Sequence, residues 1–274
     1  MKKFVVTVAL VSLLASFANA QNNATPTPTT PNDIQVQFTN VGNSSFSLTP
    51  LWFGFQNGNF DHFDVGQAAS ASLEALAEDG MVGGLQADFT AAGIPGNRQG
   101  VAFAPAGFGG APLFEPGESD SAFITPINAA AYQYFSFASM LLPTNDTFIG
   151  NDSPTQYQVF DAAGNINDAS GTFTINIFTE DLYDAGTEEN DGMGAPFSMM
   201  GTATDTVGGV IGPAGDFQEF LNATTAAGTT ITDFPAPGEL VATISISIVP
   251  EPASFTLMGI AGLGLLGLRR RRRR

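Results

Sequence analysis

The 274-residue chain contains no cysteine, one histidine and one tryptophan. The absence of cysteine excludes disulfide bonds, thiolate metal sites and a cysteine nucleophile, and a single histidine is too few for a typical zinc site. Neither a G-x-S-x-G motif nor a G-x-x-x-x-G-K-[ST] phosphate loop occurs. We therefore expect His62 to be a packing or surface residue and the chain to be no enzyme. We expect Trp52, within PLWFGF, to lie in the core rather than to form a sugar platform.

Positive charge is almost absent from the body of the chain. Eight of the nine basic residues lie at the two termini, and Arg98 is the only one between them. Residues 21–248 hold every acidic residue except Glu251, so this body carries 25 acids and one base, a net charge of −24. Such a surface repels nucleic acids, anionic membranes and phosphorylated substrates. The expected partners of so acidic a body are cations.

The N-terminus predicts export. The sequence MKKFVVTVALVSLLASFANA places two lysines before an apolar run and ends in Ala18-Asn19-Ala20, a small-x-small cleavage site. This pattern is typical of a secretory signal peptide over residues 1–20, removed by signal peptidase. Residues 21–33, QNNATPTPTTPND, are predicted to form a Pro/Thr linker.

The C-terminus, residues 249–274, has three parts in a fixed order. Val249-Pro-Glu-Pro252 is followed by sixteen uncharged residues, 253–268, and then by six arginines. As a helix, the uncharged part would span about 24 Å, which is short for a permanent membrane span. This end resembles the PEP-CTERM sorting signal of Gram-negative bacteria. The resemblance implies a transient transmembrane sorting helix, cleavage near Pro-Glu-Pro by an exosortase, and delivery to the cell surface or an extracellular polymer matrix.

Residues 34–248 are predicted to form an all-β, antiparallel β-sandwich with one or two short helices. Apolar and polar residues alternate in 34–38, 171–179 and 240–249, as in strands with one buried face. Residues 68–80 form the clearest helix, which Ser70 or Ser72 caps and Gly80 ends. Glycine- and proline-rich turns separate the strands. The Gly/Thr/Ala-rich segment 192–239 is expected to be a long loop or an edge insertion.

Acidic residues concentrate in one short segment. Six of the fourteen residues in FTEDLYDAGTEEND, residues 178–191, are acidic. Asp184 and Glu188 are four residues apart with Gly186 between them, and Asp146 follows an apolar strand in LLPTND. Calcium takes six to eight oxygen ligands from such side chains. The alternative is a solvated acidic turn that binds no ion.

Several segments together resemble the spondin domain, as in F-spondin and its bacterial relatives. They are, in chain order, FDHFDVGQAASASLEALAEDG, GVAFAPAGFGGAPLFEPGESDSAFIT, FSFASMLLPTNDTFIGND and LYDAGTEEND. The resemblance runs from about Ile34 to Ile248 and implies a C2-like sandwich with a calcium ion near one end. It implies Asp146, Asp184 and Glu188 as the metal ligands. Glu188 stands where the animal proteins have aspartate, which lengthens that arm by one methylene.

These observations favour an exported, non-enzymatic, calcium-binding module of the cell surface or extracellular matrix, acting in adhesion or in biofilm and exopolysaccharide structure. Its expected partners are the processing enzymes and extracellular polysaccharide or other matrix components. We expect no nucleic-acid partner, and membrane contact only through the sorting helix. Two alternatives stay open at this point: a carboxylate-dependent enzyme acting on extracellular polysaccharide, and an ion-free structural matrix protein.

Overall fold

The computed structural model describes residues 33–42, 44–105, 112–125, 128–196, 198, 201–225 and 230–249. The predicted signal peptide, nearly all of the Pro/Thr linker and the sorting helix lie outside the described residues. Within the described part of the chain, no helix is long and apolar enough to cross a membrane.

Strands dominate the described residues, and two short α-helices interrupt them after the third strand. The strands are β1 Ile34–Asn40, β2 Ser47–Leu48, β3 Leu51–Gln56, β4 Gln99–Ala102, β5 Ser119–Ile124, β6 Tyr134–Leu142, β7 Thr147–Gly150, β8 Thr172–Phe178, β9 Leu182–Asp184, β10 Gly212–Pro213 and β11 Leu240–Ile248. The helices are α1 Ala71–Asp79 and α2 Gly83–Ala91.

The strands form two antiparallel sheets. The four-stranded sheet has the order β5-β1-β11-β8, and the seven-stranded sheet has the order β10-β9-β7-β6-β3-β4, with β2 paired to β6. Strands distant in sequence are neighbours, as β1 and β11 show. This arrangement confirms the predicted all-β class and its antiparallel sandwich.

The main core lies between the two sheets. Val36, Phe38, Ile244 and Ile246 point inward from the four-stranded sheet, and all four are fully buried. They meet a layer of aromatic residues from the seven-stranded sheet, which comprises Phe53, Phe55, Phe135 and Phe137. The polar residues that alternate with the inward set therefore face away from this core.

A second apolar cluster lies on the other face of the seven-stranded sheet, beneath the helices. Leu73 and Leu76 of α1 and Phe89 of α2 pack there with Trp52 of β3. Helix α1 begins where Ser70 accepts a hydrogen bond from the Leu73 N–H at 3.2 Å, and it ends at Gly80 in the left-handed conformation. The two helices thus cover a sheet face that would otherwise expose aromatic residues to water.

The two ends of the described chain meet at one end of the four-stranded sheet. Ile34 pairs with Ile248, and the Val249 N–H donates to the Asp33 carbonyl at 2.8 Å. At the other end of β1, Asn40 Nδ2 donates to the carbonyls of Phe46 and Phe114, next to the pairing of β2 with β6. The loop that follows β6 therefore lies at the end opposite the chain termini.

Candidate metal centre

The three predicted ligand residues come together where β7 pairs with β9. Asp146 immediately precedes β7, Asp184 is the last residue of β9, and Thr147 pairs with Asp184. Glu188 follows in the turn after β9, where its N–H donates to Asp146 Oδ2 at 3.0 Å. Pairing between the two strands thus holds the β6–β7 loop against the acidic turn.

Asp146 is fully buried, and its carboxylate holds the turn in place. Its Oδ2 accepts from the Thr187 N–H at 2.8 Å, from Thr187 Oγ1 at 3.3 Å and from the Glu188 N–H. Its Oδ1 accepts from Asn190 Nδ2 at 3.0 Å. These charge-assisted hydrogen bonds fix the donors of the turn around the carboxylate.

The Asn190 amide links the two aspartates. Its Nδ2 also donates to Asp184 Oδ2 at 2.6 Å, while its Oδ1 is buried and has no hydrogen-bond partner. Burial raises the pKa of Asp184, and the Asp146 charge adds to that rise. One neutral amide group therefore lies between two carboxylates whose charges repel each other.

Gly186 allows the turn to close around Asp184. Its φ of 68° lies in the left-handed region, and its N–H donates to Asp184 Oδ1 at 2.6 Å. A Cβ at this position would lie 2.6 Å from the Val210 carbonyl oxygen. Conformation and space together therefore require glycine here.

Glu188 is the most strongly perturbed acid of the site. Burial raises its pKa to about 7, the charges of Glu78, Asp146 and Asp205 add to the rise, and a hydrogen bond from Asn145 opposes it. Asn145 Nδ2 donates to Glu188 Oε2 at 3.2 Å. The Asn145 side chain is fully buried, yet its Oδ1 has no hydrogen-bond partner.

The sequence did not indicate two further contributors, Glu78 and Asn145. Glu78 lies on α1, where burial raises its pKa and a hydrogen bond with the Thr187 side chain lowers it. Its position 68 residues before Asp146 left no local spacing signal. Asn145 was hidden for another reason, because an amide next to an aspartate in a loop is also typical of an ordinary turn.

The oxygen atoms of the site are of the chemical type that binds a hard cation. Carboxylates and amide carbonyls are the ligands that calcium prefers, and two of the buried amide oxygens here are unpartnered. In the part of the chain that the structure describes, however, no three acidic or histidine side chains are grouped closely enough to hold a metal ion as they stand. A cation between Asp146 and Asp184 would have to replace the bridging Asn190 amide.

Trp52 belongs to the second apolar cluster, and His62 contacts the aromatic rings of that cluster. The Trp52 and His62 rings are 5.7 Å apart in an edge-to-face contact, and Phe60 stacks on His62. Burial lowers the pKa of His62 to about 4, so the ring is neutral at physiological pH. Trp52 is fully buried, and its Nε1 donates to Gln99 at 2.8 Å. Both are core residues, as the sequence analysis expected of Trp52.

Comparison with known families identifies the C-terminus. The PEP-CTERM protein-sorting motif matches residues 249–274. The protein carries an exosortase sorting signal. The PEP-CTERM motif marks an exported protein that is anchored in the membrane until its C-terminus is processed. No curated protein matches the chain, and the spondin resemblance of residues 34–248 gains no support from these comparisons.

Proposed function

We propose that the protein is an exported, non-enzymatic module of the cell surface or extracellular matrix, with a spondin-like sandwich that calcium stabilises. The observation that carries the calcium proposal is the meeting of Asp146, Asp184 and Glu188 at one end of the sandwich. The single basic residue of the body, Arg98, lies with its guanidinium over the Tyr132 ring. The negative charge of the three acids can therefore be stabilised by N–H donors and by a cation from solution.

The electrostatics of the turn favour an added cation. Burial raises the pKa values of Asp184 and Glu188, which means that their ionised forms lack full stabilisation in the protein. A divalent cation would stabilise both ionised forms, and the unpartnered oxygens of Asn145 and Asn190 are suitable additional ligands. Extracellular sites of this type bind weakly, with dissociation constants of roughly 0.1 to 1 mM.

The sorting signal supports the proposed location. An exported chain without cysteine gains no stability from disulfide bonds, so a bound ion would supply a cross-link between the β6–β7 loop and the turn after β9. The acidic body favours solubility and repels anionic polymers. We propose that the protein acts in adhesion or in biofilm and exopolysaccharide structure. Its proposed partners are extracellular polysaccharide or other matrix components.

A thermal melt of residues 33–249 with calcium and with chelator tests the proposal. We expect millimolar calcium to raise the melting temperature by several degrees, because it binds the folded state only. Asp184→Asn keeps the acceptor for the Gly186 N–H and removes one charge, so the calcium-dependent rise should disappear. The matched control is Asp88→Asn on the exposed face of α2, which should keep it.

Two results would contradict the calcium proposal. An unchanged melting temperature of the parent at millimolar calcium would leave the acidic turn as a structure held by hydrogen bonds alone. An equal rise in Asp184→Asn would place the ion elsewhere in the protein.

A further inference from the structure

The outer face of the four-stranded sheet has an unusual composition. Its central rows consist of alternate residues of the four strands: 35, 37 and 39 of β1, 119, 121 and 123 of β5, 172, 174 and 176 of β8, and 243, 245 and 247 of β11. Beyond these rows, the last residue of β8, Phe178, is exposed on the same side. The twelve residues of the central rows are four serines, four threonines, two glutamines, one asparagine and one phenylalanine. We call these twelve side chains the hydroxyl–amide face.

Register aligns these side chains in rows across the sheet. In the middle row, Gln37 pairs with Ser121 on one side and with Ser245 on the other, and Ser245 pairs with Thr174. Neighbouring strands lie about 4.8 Å apart, and residues two apart along a strand are about 6.7 Å apart. The face therefore offers a regular array of hydroxyl and amide groups.

Part of the array is exposed to solvent. Gln37, Thr174 and Asn176 are exposed, whereas the apolar residues between them are buried in the main core. Most of the remaining members are half-buried by their neighbours. Among them, Gln35 donates to Ser121 at 2.8 Å.

None of the twelve side chains is charged, although residues 21–248 carry a net charge of −24. Hydroxyl and amide groups can each donate and accept hydrogen bonds, whereas carboxylates only accept. The face is thus suited to a partner that also donates and accepts and carries no charge.

We propose that the hydroxyl–amide face is a docking surface for an uncharged polysaccharide. Sugar hydroxyls match both hydrogen-bonding roles of the array, and Phe123 supplies one ring for contact with a sugar face. Anionic polymers are repelled by the acidic body. A protein partner is disfavoured because the centre of a protein interface is apolar and aromatic, whereas eleven of these twelve side chains are polar.

This inference names the class of partner for the proposed matrix function. It rests on that proposed function only for the location of the protein outside the cell. It does not require calcium, because the acidic loops belong to the other sheet. Export through a sorting signal places the protein where extracellular polysaccharide is available. Binding to the face and binding of calcium are therefore separable in one experiment.

The test is retention of residues 33–249 by immobilised dextran, by microcrystalline cellulose and by alginate, all in chelator. This fragment contains every described strand and both hydrophobic clusters. We expect at least one of the two neutral glucans to retain the protein about tenfold better than anionic alginate does. The double variant Gln37→Glu/Thr174→Glu should lose that retention, because its charges would be desolvated against the bound glucan.

The matched control adds two charges elsewhere, as Gln67→Glu/Gln218→Glu at exposed positions. It should bind like the parent, and both double variants should melt near the parent temperature. Retention by neither neutral glucan, or equal retention of the Gln37→Glu/Thr174→Glu variant, would overturn the proposal. A concentration-dependent dimer in sedimentation equilibrium that this variant abolishes would also overturn it, because the face would then bind a second copy.

Discussion

Asp146 illustrates how one buried carboxylate organises a turn whose bound residues lie 41 to 44 positions further along the chain. All four of its side-chain hydrogen bonds come from the three residues Thr187, Glu188 and Asn190. The sequence predicted the meeting of Asp146 with Asp184 and Glu188 through a family resemblance. Local spacing alone indicated only the pair within the turn. Asn145 and Glu78 complete the surroundings through tertiary contacts that no pattern of neighbours along the chain encodes.

Glu188 makes the stability of the calcium-free protein depend on pH. Its folded pKa, about 7, lies above the ordinary value of 4.5. The folded state therefore holds this proton more tightly, and the resulting stability is full below pH 4.5 and is lost as the pH rises through 7. We expect Glu188→Gln to remove this contribution. In chelator, its free energy of unfolding should fall less between pH 5 and pH 8 than that of the parent.

Urea unfolding at the two pH values measures this difference, and comparison with the parent separates Glu188 from other groups. Buried His62, whose pKa is lowered to about 4, contributes in the opposite sense, since its stability is lost as the pH falls from 6.5 towards 4. That contribution is common to both proteins and cancels. Identical pH dependence in parent and Glu188→Gln would show that Glu188 titrates normally in the folded state.

At the scale of elements, the alternation of apolar and polar residues predicted strands reliably. The patterns over 34–38, 171–179 and 240–249 correspond to β1, β8 and β11, which each bury one face. Residues 47–56 form two strands, β2 and β3, because Thr49 and Pro50 separate them. Strands β7, β9 and β10 were missed, since they are only two to four residues long and too short to show a period.

Two helices agree with the predicted one or two, but the position of α2 was not predicted, and the reason is its composition. It begins with Gly83-Gly84, and only Leu85 and Phe89 within it are buried. Glycine disfavours helix formation, so local propensity argued against it. The helix forms because Phe89 packs into the second apolar cluster against Trp52, with ring centroids 5.8 Å apart.

Gly54 of β3 makes room for that packing. A Cβ on Gly54 would lie 2.5 Å from Phe89 Cε2, so α2 would have to move. We expect Gly54→Ala to destabilise the protein by about 1 to 3 kcal/mol, the usual cost of overpacking. Gly83→Ala is the matched control, because its Cβ meets nothing within 4 Å and helix propensity favours alanine.

Urea denaturation of the two glycine variants compares these costs directly. Gly83→Ala should be neutral or stabilising by a few tenths of a kcal/mol, roughly as helix propensity predicts. Equal stability of Gly54→Ala and the parent would mean that α2 does not depend on close approach to β3.

For the whole molecule, the position of the sorting signal relative to the sandwich has a consequence for processing. Strand β11 ends at Ile248, and the sorting motif begins at the next residue, Val249. Val249 is half-buried and hydrogen-bonded to Asp33. Cleavage near Pro-Glu-Pro, which the PEP-CTERM resemblance implies, would therefore take place within a few residues of the folded sheet. The candidate metal centre lies at the end of the sandwich opposite the chain termini.

Because the folded sheet restricts access to the motif, a spacer should accelerate processing. We expect a six-residue Gly/Ser insertion between Ile248 and Val249 to lower the ratio of precursor to processed protein, measured by immunoblot soon after induction in the producing cell. The same insertion after Gly208, an exposed turn position with free space around it, is the control and should leave the ratio unchanged. Equal ratios in the two insertions and the parent would show that the enzyme either acts before β11 pairs with β1 or opens that pairing itself. Under the first of these two alternatives, the four-stranded sheet would be completed only after cleavage.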